Sequence, residues 1–384
     1  MSDVPMPPDL LAQILAWLPV ASLLRFRSVS KTFRALIDSD YVIKLHLNHS
    51  VETNTNLNII FGGDRTLCYL NLDSSPKVVN KIDNPLYFAI FETVILGSCN
   101  GVVCLCTTEP DNEIAFWNPL VRKFKKIRLA PAKCAEGLGR GVCIKGFGYD
   151  DVNNDHKVVR LVQYCSLHNE LAHSKIDVFS SKTDAWREVG DFPYYLCYRR
   201  NFNTFTKGAL HWLVSRKPEK RLDFLICAFD LTNDELRIVP QPDFSNEKFH
   251  VNLAVLGGCL SMVCHYPKKN VDLWVMKSYG DKESWTKLIS TTDVKIIREL
   301  DFLRPVLYSK NGDEVLFEKN FDRSLVQVNI GNPSAKKEKV EKKDDNKRDD
   351  FLSKGFRLDA MIAGSMTNFI GNDVERYEGF SLEI

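Results

Sequence analysis

The chain carries almost no excess charge of either sign: 51 lysines and arginines stand against 49 aspartates and glutamates in 384 residues, a formal net charge of +2. Such a balance gives no long-range field toward nucleic acid or an anionic membrane, so neither is expected as a partner. No stretch approaches eighteen uninterrupted apolar residues, and no basic region followed by a long apolar run opens the chain. A membrane span and secretion are therefore not expected. Eleven cysteines, an odd number, lie scattered through apolar segments instead of at the fixed spacings of a disulfide framework. They read as small hydrophobes in a reducing compartment, which predicts a cytoplasmic and nuclear location.

Motifs for catalysis and for metals are equally scarce. Cys99, Cys104 and Cys106, and separately Cys259, Cys264 and His265, lack paired C-x-x-C spacing, and alternate residues of a strand point to opposite faces. Structural cysteine is the expectation. The segment from Asp151 to Asp155 opens like a calcium loop, but His156 stands where the sharp turn needs glycine and Val162 where a bidentate glutamate belongs, which predicts a hairpin turn instead. Gly137, Gly139 and Gly141 lack the strand-to-helix setting of a phosphate site and read as a connector. No nucleophile elbow, zincin helix or paired-carboxylate motif appears. The reading is a non-catalytic chain with no cofactor and no metal; the alternative is an enzyme or glycan-binding module whose N-terminal helices merely cap its body and whose site is assembled from distant segments.

What is present begins at Met6. Pro7, Pro8 and Asp9 open a helical pattern in which Leu10, Leu11, Ile14, Leu15 and Leu18 share one stripe. Pro19 stops it, Leu23 and Leu24 mark a second short helix, and Ser30 can cap a third that holds Phe33, Leu36 and Ile37. Asp40 to His49 can make one more. The apolar surface of these helices exceeds what so small a unit can bury alone, so it needs a partner surface on its own chain or on another protein.

The order of these residues resembles the F-box. The match runs through Pro7, Asp9, Leu10, Leu11, Ile14, Leu18-Pro19, Leu23-Leu24, Arg25, Arg27, Val29-Ser30-Lys31, Phe33 and Leu36-Ile37. Met6 replaces the usual Leu or Ile, and Phe33 a common Trp, with an apolar group kept at each position. The resemblance implies a substrate-receptor subunit of an SCF-type cullin-RING ubiquitin ligase, joined to the cullin scaffold through a Skp-type adaptor. It makes Pro7, Leu10, Leu11, Ile14, Leu18, Pro19, Leu23, Leu24, Val29 and Phe33 the expected adaptor-binding residues or their immediate support.

From about Leu57 the periodicity changes from helical to alternating, with Gly, Asn, Asp and Pro as punctuation. A Gly-x-apolar-x-apolar signature recurs at Gly101, Gly208 and Gly258, with related runs at Lys157–Val162 and Gly312–Phe317, so units begin roughly every fifty residues. A first unit at Ile59–Phe61 and Leu67–Leu70 brings the count to about six irregular blades of a β-propeller. Trp186 and Trp285 follow equivalent turns and are expected to pack between neighbouring sheets. The basic run Arg122, Lys123, Lys125, Lys126 and Arg128 reads as a solvated outer strand. Residues 335–350 read as a charged, flexible loop, and 351–384 as a closing segment with a strand expected near Phe356–Ile362.

A second resemblance covers the body. Gly146–Asp150 running into His156–Arg160, the segment from Gly258 through Val271–Trp274 to Ser284–Lys287, and Arg304–Ser309 look like the F-box-associated domain of plant F-box proteins. The fold class expected is α+β multidomain: a helical F-box over 1–48, then an all-β propeller-like domain over 49–384. Similarity to family members that limit intracellular immune receptors implies such a receptor as the protein substrate; self-incompatibility members share the architecture. Tyr194, Tyr195, Arg199 and Arg200 look exposed and are candidate target contacts.

Overall fold

The computed structural model describes residues 6–53, 58–62, 67–71, 79–86, 93–107, 113–119, 123–129, 141–165, 171–197, 204–217, 224–244, 249–267, 269–292, 303–309, 313–319, 325–329 and 356–357. Four helices come first: α1 (Pro8–Ala16), α2 (Val20–Phe26), α3 (Lys31–Ile37) and α4 (Asp40–Thr53). Pro8 opens α1, where an amide has no intrahelical partner, and Asp9 complements the positive end of the helix. Ser30 caps α3 by accepting the Phe33 N–H at 3.1 Å, and Ser39 caps α4 by accepting the Val42 N–H at 3.3 Å. The fourth helix continues past His49 to Thr53, so the expected division between residues 48 and 49 falls inside a helix. Ala12, Leu15, Leu23, Ile37 and Val42 form the small core of the helical unit.

Beyond them the described residues form six antiparallel sheets in chain order, with one short 3-10 turn at Lys282–Ser284. They are β1 (Asn58–Gly62), β2 (Leu67–Asn71) and β3 (Val79–Ile82); then β4 (Thr93–Cys99), β5 (Val102–Thr107), β6 (Ile114–Asn118) and β7 (Lys123–Ile127); then β8 (Gly141–Asp150), β9 (Asp155–Cys165), β10 (Leu171–Ser180) and β11 (Ala185–Asp191). The fourth sheet holds β12 (Tyr195–Leu196), β13 (Thr204–Thr206), β14 (Ala209–Ser215), β15 (Phe224–Asp230) and β16 (Leu236–Val239). The fifth is β17 (His250–Leu256), β18 (Cys259–Tyr266), β19 (Asn270–Met276) and β20 (Trp285–Thr291), and the sixth β21 (Leu303–Ser309), β22 (Glu314–Lys319), β23 (Leu325–Asn329) and β24 (Phe356–Arg357). Pairing of Phe356 with Ser309 and Arg357 with Tyr308 adds β24 to the last sheet, where a closing strand was expected. Residues 335–350 and 358–384 lie outside the described residues.

The recurrent glycines have one physical cause. Asn100-Gly101, Lys207-Gly208 and Gly257-Gly258 all have positive φ at both positions and join β4 to β5, β13 to β14 and β17 to β18 in two residues each. Such a turn matches the strand twist only in the left-handed region, where glycine carries no steric penalty. In the third sheet a four-residue turn, Asp151–Asn154, makes this connection, so the glycine signature skips from 101 to 208. The expected hairpin turn is therefore present.

First strands of consecutive sheets lie against one another, with β4 on β8 and β17 on β21. The apolar core accordingly lies between sheets. Separate clusters join the first and second sheets (Ile60 with Leu105), the second and third (Phe116 with Phe147), the third and fourth (Ile176 with Trp212), the fourth and fifth (Ile226 with Met262) and the fifth and sixth (Leu273 with Phe317). The two tryptophans take equivalent places: Trp186 donates to the Arg128 carbonyl at 3.0 Å and Trp285 to the Pro240 carbonyl at 2.9 Å, each one residue past the outer strand of the preceding sheet. Cysteines follow the same packing, and burial pushes the Cys99 and Cys227 thiols up to about 12.

His211 of β14 is enclosed between the fourth and fifth sheets. Its Nδ1 lies 3.2 Å from the Thr204 carbonyl, which can only accept, so Nδ1 carries the proton and Nε2 accepts from the Tyr279 hydroxyl at 2.6 Å. Burial lowers its pKa to about 4. An unfolded histidine titrates near ~6.5, so this group's contribution is complete above that pH and is lost as pH falls toward the folded value. By pH 5 the loss is about 2 kcal/mol. Thermal melts should therefore fall more between pH 7.5 and pH 5 for the parent than for His211→Gln; equal falls would contradict this assignment.

Candidate protein-binding face

Helix α1 is apolar on two opposite faces. Ala12, Leu15 and Ala16 point into the helical core. Leu10, Ile14 and Trp17, at i, i+4 and i+7, form a stripe on the other side, exposed by 48%, 42% and 72%. Met6 precedes the stripe by one turn and is also exposed. Leu24 and Phe26 of α2 and Val29 beyond it expose further apolar surface.

The structure divides the ten expected residues. Pro7, Leu10, Ile14, Pro19, Leu24 and Val29 are exposed, whereas Leu11, Leu18 and Phe33 are half-buried against the helical core. Leu23 is 7% exposed and belongs to that core, because α2 turns this side toward α1 and α3. Sequence reading missed Trp17, whose spacing from Leu10 and Ile14 was an available signal.

Polar contacts fix the frame under this face. Arg27 grips Asp38 with Nε at 2.6 Å and Nη2 at 2.8 Å, tying the end of α2 to the end of α3. The hydrogen bond from Arg27 holds the Asp38 carboxyl below the usual carboxylate range. His46 of α4 donates from Nε2 to the Leu18 carbonyl at 3.0 Å, closing the junction between α1 and α2. Burial lowers the His46 pKa, against the opposing pull of the Leu18 carbonyl.

The β-domain candidates fare differently. Tyr194 and Tyr195 are half-buried, not exposed. Gln163 reaches across to donate to the Tyr194 carbonyl at 2.6 Å, and the Tyr194 ring meets Phe192 edge-on at 5.8 Å. Arg199 and Arg200 lie outside the described residues. Of the basic run, Lys123, Lys125 and Lys126 are exposed on the outer strand β7, as expected, Arg128 follows that strand, and Arg122 lies outside the described residues. Among the described residues no cluster of three or more metal-ligating side chains occurs, and no helix is long and apolar enough to cross a membrane.

Comparison with known proteins finds two family domains along the chain. Residues 5–45 match the F-box domain, and residues 49–353 match the F-box associated beta propeller domain. The F-box protein CPR1 of Arabidopsis thaliana is 31% identical over 93% of this chain and 100% of its own length. F-box protein At4g22390 of the same plant is 31% identical over 92% and 98%. Among solved structures, a lectin of Aleuria aurantia aligns over 72% of this chain and 96% of its own at 11% identity and a TM-score of 0.36, a likeness too slight to carry an argument. The helical unit, the six sheets and these relatives together place the chain in the family of F-box proteins that carry an F-box-associated β-propeller domain.

Proposed function

We propose that this chain is the substrate-receptor subunit of an SCF-type cullin-RING ubiquitin ligase and performs no catalysis itself. The observation that carries this reading is the second apolar face of α1, which the chain's own helical core leaves exposed although the family's F-box lies there. A Skp-type adaptor covers Pro7, Leu10, Ile14, Pro19, Leu24 and Val29, while Leu11, Leu18, Leu23 and Phe33 support them from below. The propeller captures a target protein for ubiquitination and degradation. Rate enhancement then comes from proximity, since a target held on the same rigid assembly as the charged enzyme meets it at high effective concentration.

The resemblance noted in the sequence supports an intracellular immune receptor as the target class and cytoplasm and nucleus as the place of action. The test is reconstitution: the full chain, a Skp-type adaptor and the cullin-RING scaffold, with a tagged immune receptor as substrate. Adaptor-dependent ubiquitin transfer to the receptor is the expected result. Adaptor binding without transfer would refute the target class, and absence of adaptor binding would refute the ligase role.

A further inference from the structure

Trp17 is the most exposed aromatic ring of the helical unit, and it is not loose. Its indole stacks on His49 of α4 at 5.6 Å between ring centroids and 17° between planes. The His49 carbonyl accepts from the Thr53 hydroxyl at 2.6 Å, and one turn earlier His46 ties α4 to the Leu18 carbonyl. A large side chain held at 72% exposure on a helix whose inner face is already packed contributes little to folding. Fixing it in advance removes part of the entropic cost of docking.

Trp17 also continues the stripe of Leu10 and Ile14, so a partner that lies along α1 reaches it without leaving the helix. His49 lies outside the residues 5–45 matched by the F-box, so the pair joins the F-box helices to the extension of α4. Resting on the adaptor-binding reading above, we propose that Trp17, braced by His49 from outside the matched F-box residues, is a further contact residue for the Skp-type adaptor at the C-terminal end of the α1 stripe. Tryptophan in such a place is the residue type most often found to dominate binding.

The test is a double-mutant cycle on the full chain, with affinity for a purified Skp-type adaptor measured by calorimetry. Trp17→Ala should weaken binding about tenfold or more without lowering the melting temperature, and Trp17→Phe should stay within about threefold of the parent. His49→Ala should weaken binding about threefold in the parent and leave Trp17→Ala unchanged, because its effect acts through the indole. Unchanged adaptor affinity in Trp17→Ala would overturn the inference while leaving the ligase reading intact. Loss of self-association in that variant, with adaptor affinity unchanged, would assign the ring to a second copy and overturn it too. A folded parent that does not bind the adaptor would overturn both.

Discussion

Lys157→Met is expected to destabilise the β-domain by about 3–5 kcal/mol, because it strands a buried carboxylate. The Asp150 side chain is fully enclosed at the seam between the third and fourth sheets, with the Lys157 ammonium 2.7 Å away. The same ammonium donates to the Leu231 carbonyl at 2.5 Å, and Thr232 donates to Asp150 at 3.0 Å, so two sheets share one ionic knot. Burial alone would raise the Asp150 pKa, but hydrogen bonds from Lys157, Asn153 and Thr232 outweigh it and bring it down to about 2. A depressed folded pKa means that this stabilisation is present above the unfolded value of ~3.9 and is lost as pH falls toward 2. Denaturant titration at pH 7 measures the loss, and the double variant Asp150→Asn with Lys157→Met should recover part of it. A loss below about 1 kcal/mol would place the pair among weakly contributing surface bridges instead.

Gly148→Val should be the most damaging glycine substitution at the same seam. Gly148 is the cross-strand partner of Lys157, and a Cβ there would lie 2.6 Å from the Leu231 side chain and in direct overlap with the Phe205 ring. Leu231 is fully buried and the partly buried Phe205 packs against the same cluster, so an added Cβ must displace one of them. Overpacking of this kind costs about 1–3 kcal/mol for one added carbon, and valine adds two more. The expected order of melting temperatures is parent, Gly148→Ala, Gly148→Val. An alanine variant as stable as the parent would show that Phe205 can swing aside.

The repeat was legible because each second strand follows a turn whose geometry demands glycine or a polar substitute. Gly101, Gly208 and Gly258 mark this phase, and β9 and β22 fill it without the same signature. Burial on α1 was not legible, since Leu10, Ala12, Ile14 and Leu15 are all apolar and periodicity cannot say which side the core takes. Leu23 and Leu24 pose the same ambiguity one residue apart, resolved only by where α3 packs. Tyr194 and Tyr195 looked exposed because their cover comes from distant sequence, Gln163 among it. The Asp150–Lys157 knot was invisible for a related reason: its third member, Leu231, lies 74 residues from Lys157.

That division of α1 also selects the variants for the decisive experiment. Leu11→Asp would disturb the helical core, whereas Leu10 and Ile14 face outward and can change without touching it. The measurement is the affinity of the full chain for a Skp-type adaptor, in the parent and in Leu10→Asp with Ile14→Asp, alongside a melting curve for each. Burying two unpaired carboxylates in an apolar interface costs several kcal/mol, so affinity should fall by about 1,000-fold or more with the melting curve unchanged. A folded double variant that binds the adaptor as tightly as the parent would contradict the assignment of this face.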